Sequence, residues 1–398
     1  MRQLRQIELD RLQLLTEHNV EFTLIEPTAT GLTKSIMDAT GPVRTYLKTQ
    51  GVHDFNLQAQ GQEHKLLVQA KLLGAFSESH STVSLYRPIT KKGDPRIWFT
   101  GLKRYVEAND ILGIIHFEGT LYVINVAQLD LRQLIQGELH NPIKELVSQI
   151  NRDANAIANE LLFRLRGIAA MGPVAALLQA DTAVGRTLET LLDIPINSRR
   201  APDYKGIELK SFRATKGAKK TNNRKTLFAQ VPDWQFSKFK SSAQILDAFG
   251  YMRNGKFRLN CTVSTLGCNS QGLQLKLNGS LGRLVENSAR AEIGDFATWA
   301  IDSLHQTLLS KHNETFWIAA DSIHENGQEY LHYKNAAHTR KPITSQFDIL
   351  LEQGLITLDH LISRHDDGKV KEHGPLFKIH PRALSLLFPP SLSYDLLV

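Results

Sequence analysis

Ala201-Pro202-Asp203-Tyr204-Lys205-Gly206-Ile207-Glu208-Leu209-Lys210-Ser211-Phe212 carries the densest chemical pattern of the chain. From Gly206 to Phe212 apolar and polar residues alternate, the period-two pattern of a half-buried strand. Successive strand side chains point to opposite faces, so Glu208 and Lys210 share one. Asp203 lies upstream of Gly206, and a turn there brings its carboxylate back beside Glu208. Two carboxylates and an ammonium then converge on one small volume. Hard oxygen ligands of this kind suit Mg²⁺, which binds carboxylates and keeps several waters. A metal-activated water beside a lysine can attack phosphorus. Taken alone, a Glu and a Lys two apart also describe an ordinary surface strand, so the neighbouring segments decide between the readings.

On the upstream side, 181–192 reads as a turn at Gly185 followed by a helix over 186–192, with Leu188, Leu191 and Leu192 inward. Glu189 falls beside those leucines, and an unpaired carboxylate near an apolar face is costly. It is either a rim ion pair, for instance to Arg199 or Arg200, or a third acid of the metal site. Downstream, Arg213, Lys216, Lys219, Lys220, Arg224 and Lys225 follow without an acid among them. Such a run is a solvated loop or a phosphate-backbone contact, the latter giving salt-dependent affinity.

Further strands are expected over 226–231, 257–263, 273–277, 356–363 and 374–379, and a buried one over 316–320. A helix over 347–353 stops at Gly354. The polar loop 364–374 carries Arg364, His365, Lys369, Lys371 and His373, donors suited to base edges in a groove. No zinc spacing accompanies these histidines. His305, His312, His324, His332 and His338 read as ordinary surface or satisfied histidines.

The first third of the chain is β-rich. A helix over 4–18, a strand over 20–25, a turn-like polar stretch over 28–36 and a helix over 43–50 precede it. Strands at 65–69 and 82–86 lead to a hairpin, 111–117 and 120–126, around Glu118-Gly119. Within 86–105, Arg96 and Lys103 are interleaved with Trp98, Phe99 and Tyr105, a pattern able to meet phosphates and bases or simply to flank a core strand. Asn141-Pro142 is the strongest breaker, followed by a helix over 143–166 and a short helix over 174–179. The expected domains are 1–141 and 142–398.

The 398 residues, 42% hydrophobic and 22% charged, describe a globular chain of more than one core. A net charge of +7 and a pI near 9.2 are compatible with a polyanionic partner. Cys261 and Cys268 are too few for a disulfide framework, and no apolar run spans a bilayer, so a reducing cytoplasmic setting and no membrane are expected.

Thr187-Leu-Glu-Thr-Leu-Leu192, the 201–210 motif, Thr226-Leu-Phe228, Gly354-Leu-Ile356 and His373-Gly-Pro-Leu-Phe-Lys-Ile379 together resemble the MvaI/BcnI restriction endonucleases, relatives of the MutH nickase. The resemblance implies an α/β PD-(D/E)xK nuclease domain, a mixed central sheet flanked by helices. By it, Asp203 and Glu208 would hold Mg²⁺, Lys210 would position or deprotonate the attacking water, and Glu189 would be the accessory acid. His373 and Lys378 align with the DNA-reading segment of that family, and Arg364 lies near an arginine used there. It further implies a monomer acting on double-stranded DNA at a CCWGG- or CCSGG-like site, leaving 5′-phosphates, with a cognate methyltransferase as counterpart.

More faintly, Thr30-Gly31 and Arg96-Ile-Trp98 resemble the two arms of the EcoRII-type effector domain, a β-rich pseudobarrel. On that resemblance Thr30, Lys34, Arg96, Trp98 and Lys103 would contact a second copy of the site. The expected activity is a Type IIE restriction endonuclease. Its rivals are a partner-dependent nickase of the MutH kind and a DNA-binding regulator with an inactive core.

Overall fold

The hairpin read from residues 111–126 forms as Leu112–Phe117 and Thr120–Asn125. Glu118 and Gly119 both take positive φ, 45° and 76°, as the favoured two-residue hairpin turn requires. A computed structural model describes residues 1–180, 182–194, 202–213, 224–278, 282–365, 368–372 and 374–398.

The hairpin belongs to a seven-stranded sheet. Its order is Thr23–Ile25, Leu112–Phe117, Thr120–Asn125, Leu66–Leu73, Glu78–Tyr86, Arg96–Phe99, Met37–Asp38. Only Leu66–Leu73 beside Thr120–Asn125 is a parallel pair. Val83, Leu85, Ile97, Phe99, Leu121 and Val123 bury against Tyr46 and Leu47 of helix Gly41–Thr49. The stretch expected to be turn-like is instead helix Ala29–Lys34. The Thr28 hydroxyl accepts from the Gly31 amide at 3.0 Å, and Ser35 closes the helix at φ 56°. A capping threonine outweighs the small polar composition there.

A second sheet runs Lys225–Ala229, Leu376–Ile379, Ile356–Arg364, Lys256–Val263, Tyr251–Arg253. Val370–Glu372 pairs with Ile356–Arg364, so part of the expected loop 364–374 is strand. Leu273–Asn278, Arg283–Ser288 and Asp295–Ala300 form a third, three-stranded sheet.

These sheets make up one compact unit, Met1–Ser148, Asn223–Lys311 and Ile343–Leu387. Its distant segments are tied through buried backbone. The Leu4 amide donates to Gln353 Oε1 at 3.0 Å, Gln346 Nε2 to the Phe22 carbonyl at 3.3 Å, and Thr16 Oγ1 to the Leu386 carbonyl at 3.3 Å. Compactness therefore groups residues 1–148 with later segments, whereas the sequence breaker falls at Asn141-Pro142, where helix Pro142–Ala170 begins.

The other unit is Gln149–Asn222, His312–Pro342 and Phe388–Val398. Its sheet runs Leu392–Asp395, Gln328–Thr339, Thr315–Glu325, Glu208–Arg213, the last pair parallel and the others antiparallel. Leu161, Leu165, Leu188, Leu192, Phe316 and Tyr333 fill its core. The architecture is thus mixed sheets with helices. The helix expected over 174–179 is replaced by strand Val174–Ala175, paired with Leu331 and Tyr330. The Ala176 amide goes to the Glu329 carbonyl at 2.8 Å, so the backbone donors of this short stretch serve the sheet. Among the described residues no helix is long and apolar enough to cross a membrane.

Candidate active site

Strand Glu208–Arg213 is positioned from both ends. The Tyr204 and Ile207 backbones exchange hydrogen bonds of 2.9 and 2.8 Å, closing a tight turn at Lys205 and Gly206 with φ 44° and 97°. Tyr204 Oη and Lys205 Nζ both reach Glu160 Oε1 at 2.8 Å, anchoring the turn to helix Pro142–Ala170. At the far end, Arg213 donates twice to Glu329 at 2.8 Å, and Ser322 donates to the same carboxylate at 2.5 Å. These donors hold the Glu329 carboxyl at about 2, against an ordinary 4.5.

The turn carries Asp203 onto the strand, where its Oδ2 accepts from the Leu209 amide at 2.9 Å. The Glu208 amide donates the other way, to the Glu314 carbonyl at 2.8 Å. Consecutive strand amides point to opposite sides, so Asp203 sits at the open edge of the strand. Glu189 projects from helix Ala183–Leu191, 3.8 Å from Arg186. Burial and the negative charge of Asp203 raise its carboxyl above the usual range, and Arg186 only partly offsets them. Arg199 and Arg200, the alternative partners, lie outside the described residues.

Lys210 holds its ammonium 5.0 Å from the centre of the Trp317 ring. The two residues are in register on the parallel strand pair. Trp317 Nε1 donates to Thr339 Oγ1 at 2.9 Å, fixing the indole. The strand 316–320 was expected to be wholly buried, but its side chains alternate: Phe316 and Ile318 enter the core and Trp317 faces out. A groove of about 630 Å³ wraps this edge, lined by Glu189, Arg186, Lys210, Ser211, Phe212 and Trp317 among others. Gly185, expected in a turn, lies inside helix Ala183–Leu191; a Cβ there would stand 3.4 Å from Ser211 Oγ.

Glu208 and Lys210 thus stand on the strand, Asp203 in the turn segment before it, and Glu189 on the adjoining helix. Trp317 and Phe212 join them; Phe316-Trp-Ile-Ala-Ala320 is apolar throughout, so no local period in the sequence marks Trp317. Among the described residues no three His, Cys, Asp or Glu side chains cluster as a metal cage. The donor set is nonetheless of the oxygen-only kind that suits Mg²⁺, which is held by one or two carboxylates plus substrate oxygens and water.

The expected DNA contacts divide. Lys216, Lys219, Lys220 and His373 lie outside the described residues. Arg224 and Lys378 meet on one carboxylate, Asp359, at 2.7 and 2.9 Å. Arg364 is engaged within the protein, donating to Asp247 at 2.6 Å and lying 5.7 Å from the Phe257 ring centre. Thr30, Lys34 and Arg96 line one groove of about 480 Å³. Arg96 is paired there with Asp38. Trp98 packs on the core of its sheet, and Lys103 Nζ donates to the Thr33 carbonyl at 3.1 Å.

Solved structures of the restriction endonuclease MvaI, one in complex with its cognate DNA substrate and one in the absence of DNA, resemble the chain at 22% identity. Each covers 60% of this chain and 97% of its own, with TM-scores of 0.33 and 0.35. No match is found among curated proteins. The MvaI/BcnI restriction endonuclease family matches residues 162–388, more than half of the length, and the chain belongs to that family.

Proposed function

We propose that the protein is a Type IIE restriction endonuclease that hydrolyses double-stranded DNA at a CCWGG-like site and is stimulated by a second copy of that site. The observation that carries the reading is the turn placing Asp203 on the Leu209 amide, at the start of the strand that presents Glu208 and Lys210. This is the Pro-Asp…Glu-x-Lys arrangement of PD-(D/E)xK nucleases, standing at residues 202–210.

Asp203 and Glu208 would hold Mg²⁺, and Glu189 would add negative charge near them. When bound, the ion supplies Lewis-acid stabilisation of the phosphate oxygens. Lys210, its ammonium steadied over Trp317, positions the attacking water; that water's proton passes to solvent, and the leaving O3′ takes up a proton as the P–O3′ bond breaks, giving a 5′-phosphate and a 3′-hydroxyl. In this reading residues 1–141 supply a pseudobarrel effector, with Thr30, Lys34, Arg96, Trp98 and Lys103 as its DNA contacts, and residues 142–398 supply the nuclease, although 1–148 pack with later segments in one compact unit. This order of an EcoRII-like domain before an MvaI-like one resembles that of UbaLAI. The enzyme acts as a monomer in the cytoplasm, opposite a cognate methyltransferase.

The test is incubation of the full chain with mapped plasmid DNA, with and without Mg²⁺. Discrete Mg²⁺-dependent fragments that share a short motif are expected, and Asp203→Ala should bind but not cut. Cutting that needs added proteins would make it a nickase of the MutH kind. Binding without cutting under every condition would make it a regulator, and unchanged cutting by Asp203→Ala would displace the site.

A further inference from the structure

The sheet that contains Leu376–Ile379, Ile356–Arg364 and Lys256–Val263 has two unlike faces. Register aligns Thr226, Lys378 and Thr357, and aligns Asp359 with Thr262. These polar residues share one face, while Phe377, Leu358 and Val263 turn into the core. Thr226 and Thr262 are exposed on that polar face, yet Asp359 is only 6% exposed and Thr357 9%. Arg224 and Lys378 lie over them, their own side chains 33% and 20% exposed.

Asp359 Oδ1 accepts from Arg224 Nη1 at 2.7 Å and Thr262 Oγ1 at 2.8 Å. Its Oδ2 accepts from Arg224 Nη2 at 3.1 Å and pairs with Lys378 Nζ at 2.9 Å. A carboxylate offers about four acceptor sites, so Asp359 is saturated and has none for a base. Arg224 also gives Nη1 to Thr357 Oγ1 at 2.7 Å and Nη2 to Thr262 Oγ1 at 3.1 Å. Its two Nη groups, which would make a bidentate base contact, are therefore spent inside the protein. Lys378 differs, because an ammonium has three donors and only one points at Asp359. Burial alone would raise the Asp359 carboxyl, but the donors from Arg224, Lys378 and Thr262 leave it below the usual range, so it stays charged at neutral pH.

We infer that Asp359 is a specificity-determining positioning residue, braced by Arg224, that aims the Lys378 ammonium at a guanine in the recognition sequence. Lys378 donates and never accepts, so it suits the paired O6 and N7 acceptors of guanine and gains nothing from the amino group of cytosine. Arg224, expected to touch DNA, becomes a brace. The assignment rests on the proposed reading of this chain as a sequence-specific DNA enzyme, but it concerns recognition rather than cutting.

Loss of Asp359 leaves Arg224 held only by the Thr357 and Thr262 hydroxyls and takes from Lys378 the carboxylate that orients it. The face gains positive charge, so its affinity for arbitrary DNA holds or rises, while discrimination falls. A merely structural carboxylate would show the opposite, weaker binding to all DNA with a lower melting temperature.

The experiment selects the full chain on a randomised double-stranded oligonucleotide pool, in EDTA and again in Ca²⁺, and sequences the bound fraction. Wild type, Asp359→Asn, Lys378→Met and the double variant are compared, each with a thermal melt. Wild type should enrich a short motif. Asp359→Asn should lose about tenfold or more of the preference at one guanine, with bulk affinity unchanged or tighter. Lys378→Met should lose the same position, and the double variant should be no worse than Lys378→Met alone. Wild-type enrichment in Asp359→Asn, loss spread evenly over all positions with a lowered melt, or a wild type that selects no motif would each overturn the assignment. A chain that selects a motif but never cuts plasmid would defeat the nuclease reading and leave this one standing.

Discussion

Glu189 lies where burial and a neighbouring carboxylate act in the same direction, so the folded protein holds its proton more tightly than the unfolded chain does. A carboxyl raised in this way gives its largest contribution to stability below the unfolded value. That contribution is lost as pH rises through the raised one. Glu189→Gln should therefore raise the metal-free melting temperature at pH 7.5, and the gain should vanish near pH 4. A melt series of both proteins across that range checks it. At Lys210 the support comes from Trp317. Cation–π contacts at open sites amount to about 0.5–1 kcal/mol, so Trp317→Ala should slow DNA cutting a few-fold, with Trp317→Phe retaining most of the rate. Single-turnover rates beside binding affinities separate the two effects. Asp203, Glu208 and Lys210 are legible in sequence because turn and strand alternation are local. Trp317 and Asp359 are not, since Trp317 acquires its role from Lys210 on another strand, and Asp359 from Arg224 and Thr262, 135 and 97 positions away. The acid in Ile356-Thr-Leu-Asp-His-Leu-Ile-Ser363 was the available hint, and only the register with Thr262 gives it meaning.

Two glycines stand beside the strand Glu208–Arg213 and do opposite things. Gly206 sits at φ 97° with nothing near a would-be Cβ, so the backbone alone penalises a side chain there. Gly206→Ala should cost about 1 kcal/mol or more and, by shifting the turn, should lower cutting as well. Gly185 lies in a right-handed helix with room for a methyl at 3.4 Å from Ser211 Oγ. Gly185→Ala should be neutral or stabilising by about 0.5 kcal/mol. Denaturant unfolding of both variants decides between these signs. At this scale alternation identified the hairpin 111–126 and the strands of residues 207–212 and 356–363. It failed at helix Ala29–Lys34, where a single cap decides, and at Val174–Ala175, where pairing with Gln328–Thr339 overrides local preference.

Across the whole molecule, the connectivity of the first unit bears on any attempt to divide the chain. Helix Gln6–Glu17 and strand Thr23–Ile25 make buried contacts with segments after residue 340, including the Gln346 and Thr16 hydrogen bonds. The nuclease part 142–398 expressed alone should accordingly melt lower than the full chain and expose apolar surface, which dye binding and calorimetry would register. A fragment as stable as the parent would show that the sequence breaker at Asn141-Pro142 is also the folding boundary. The sequence reveals a β-rich first part and an α/β remainder but not that three separated segments close into one unit, because long-range packing leaves no local period.

Glu208–Arg213 ends its sheet among the described strands, with one row of backbone groups turned outward. Such a margin is an invitation to a passing chain to add itself as a further strand. Here the Leu209 amide is already taken by Asp203, and Lys210 projects a charge beside it. On the proposed reading, the side chains that serve cutting would therefore also guard this edge against pairing with a second copy. An Asp203→Ala preparation should thus be not only inert but harder to keep in solution.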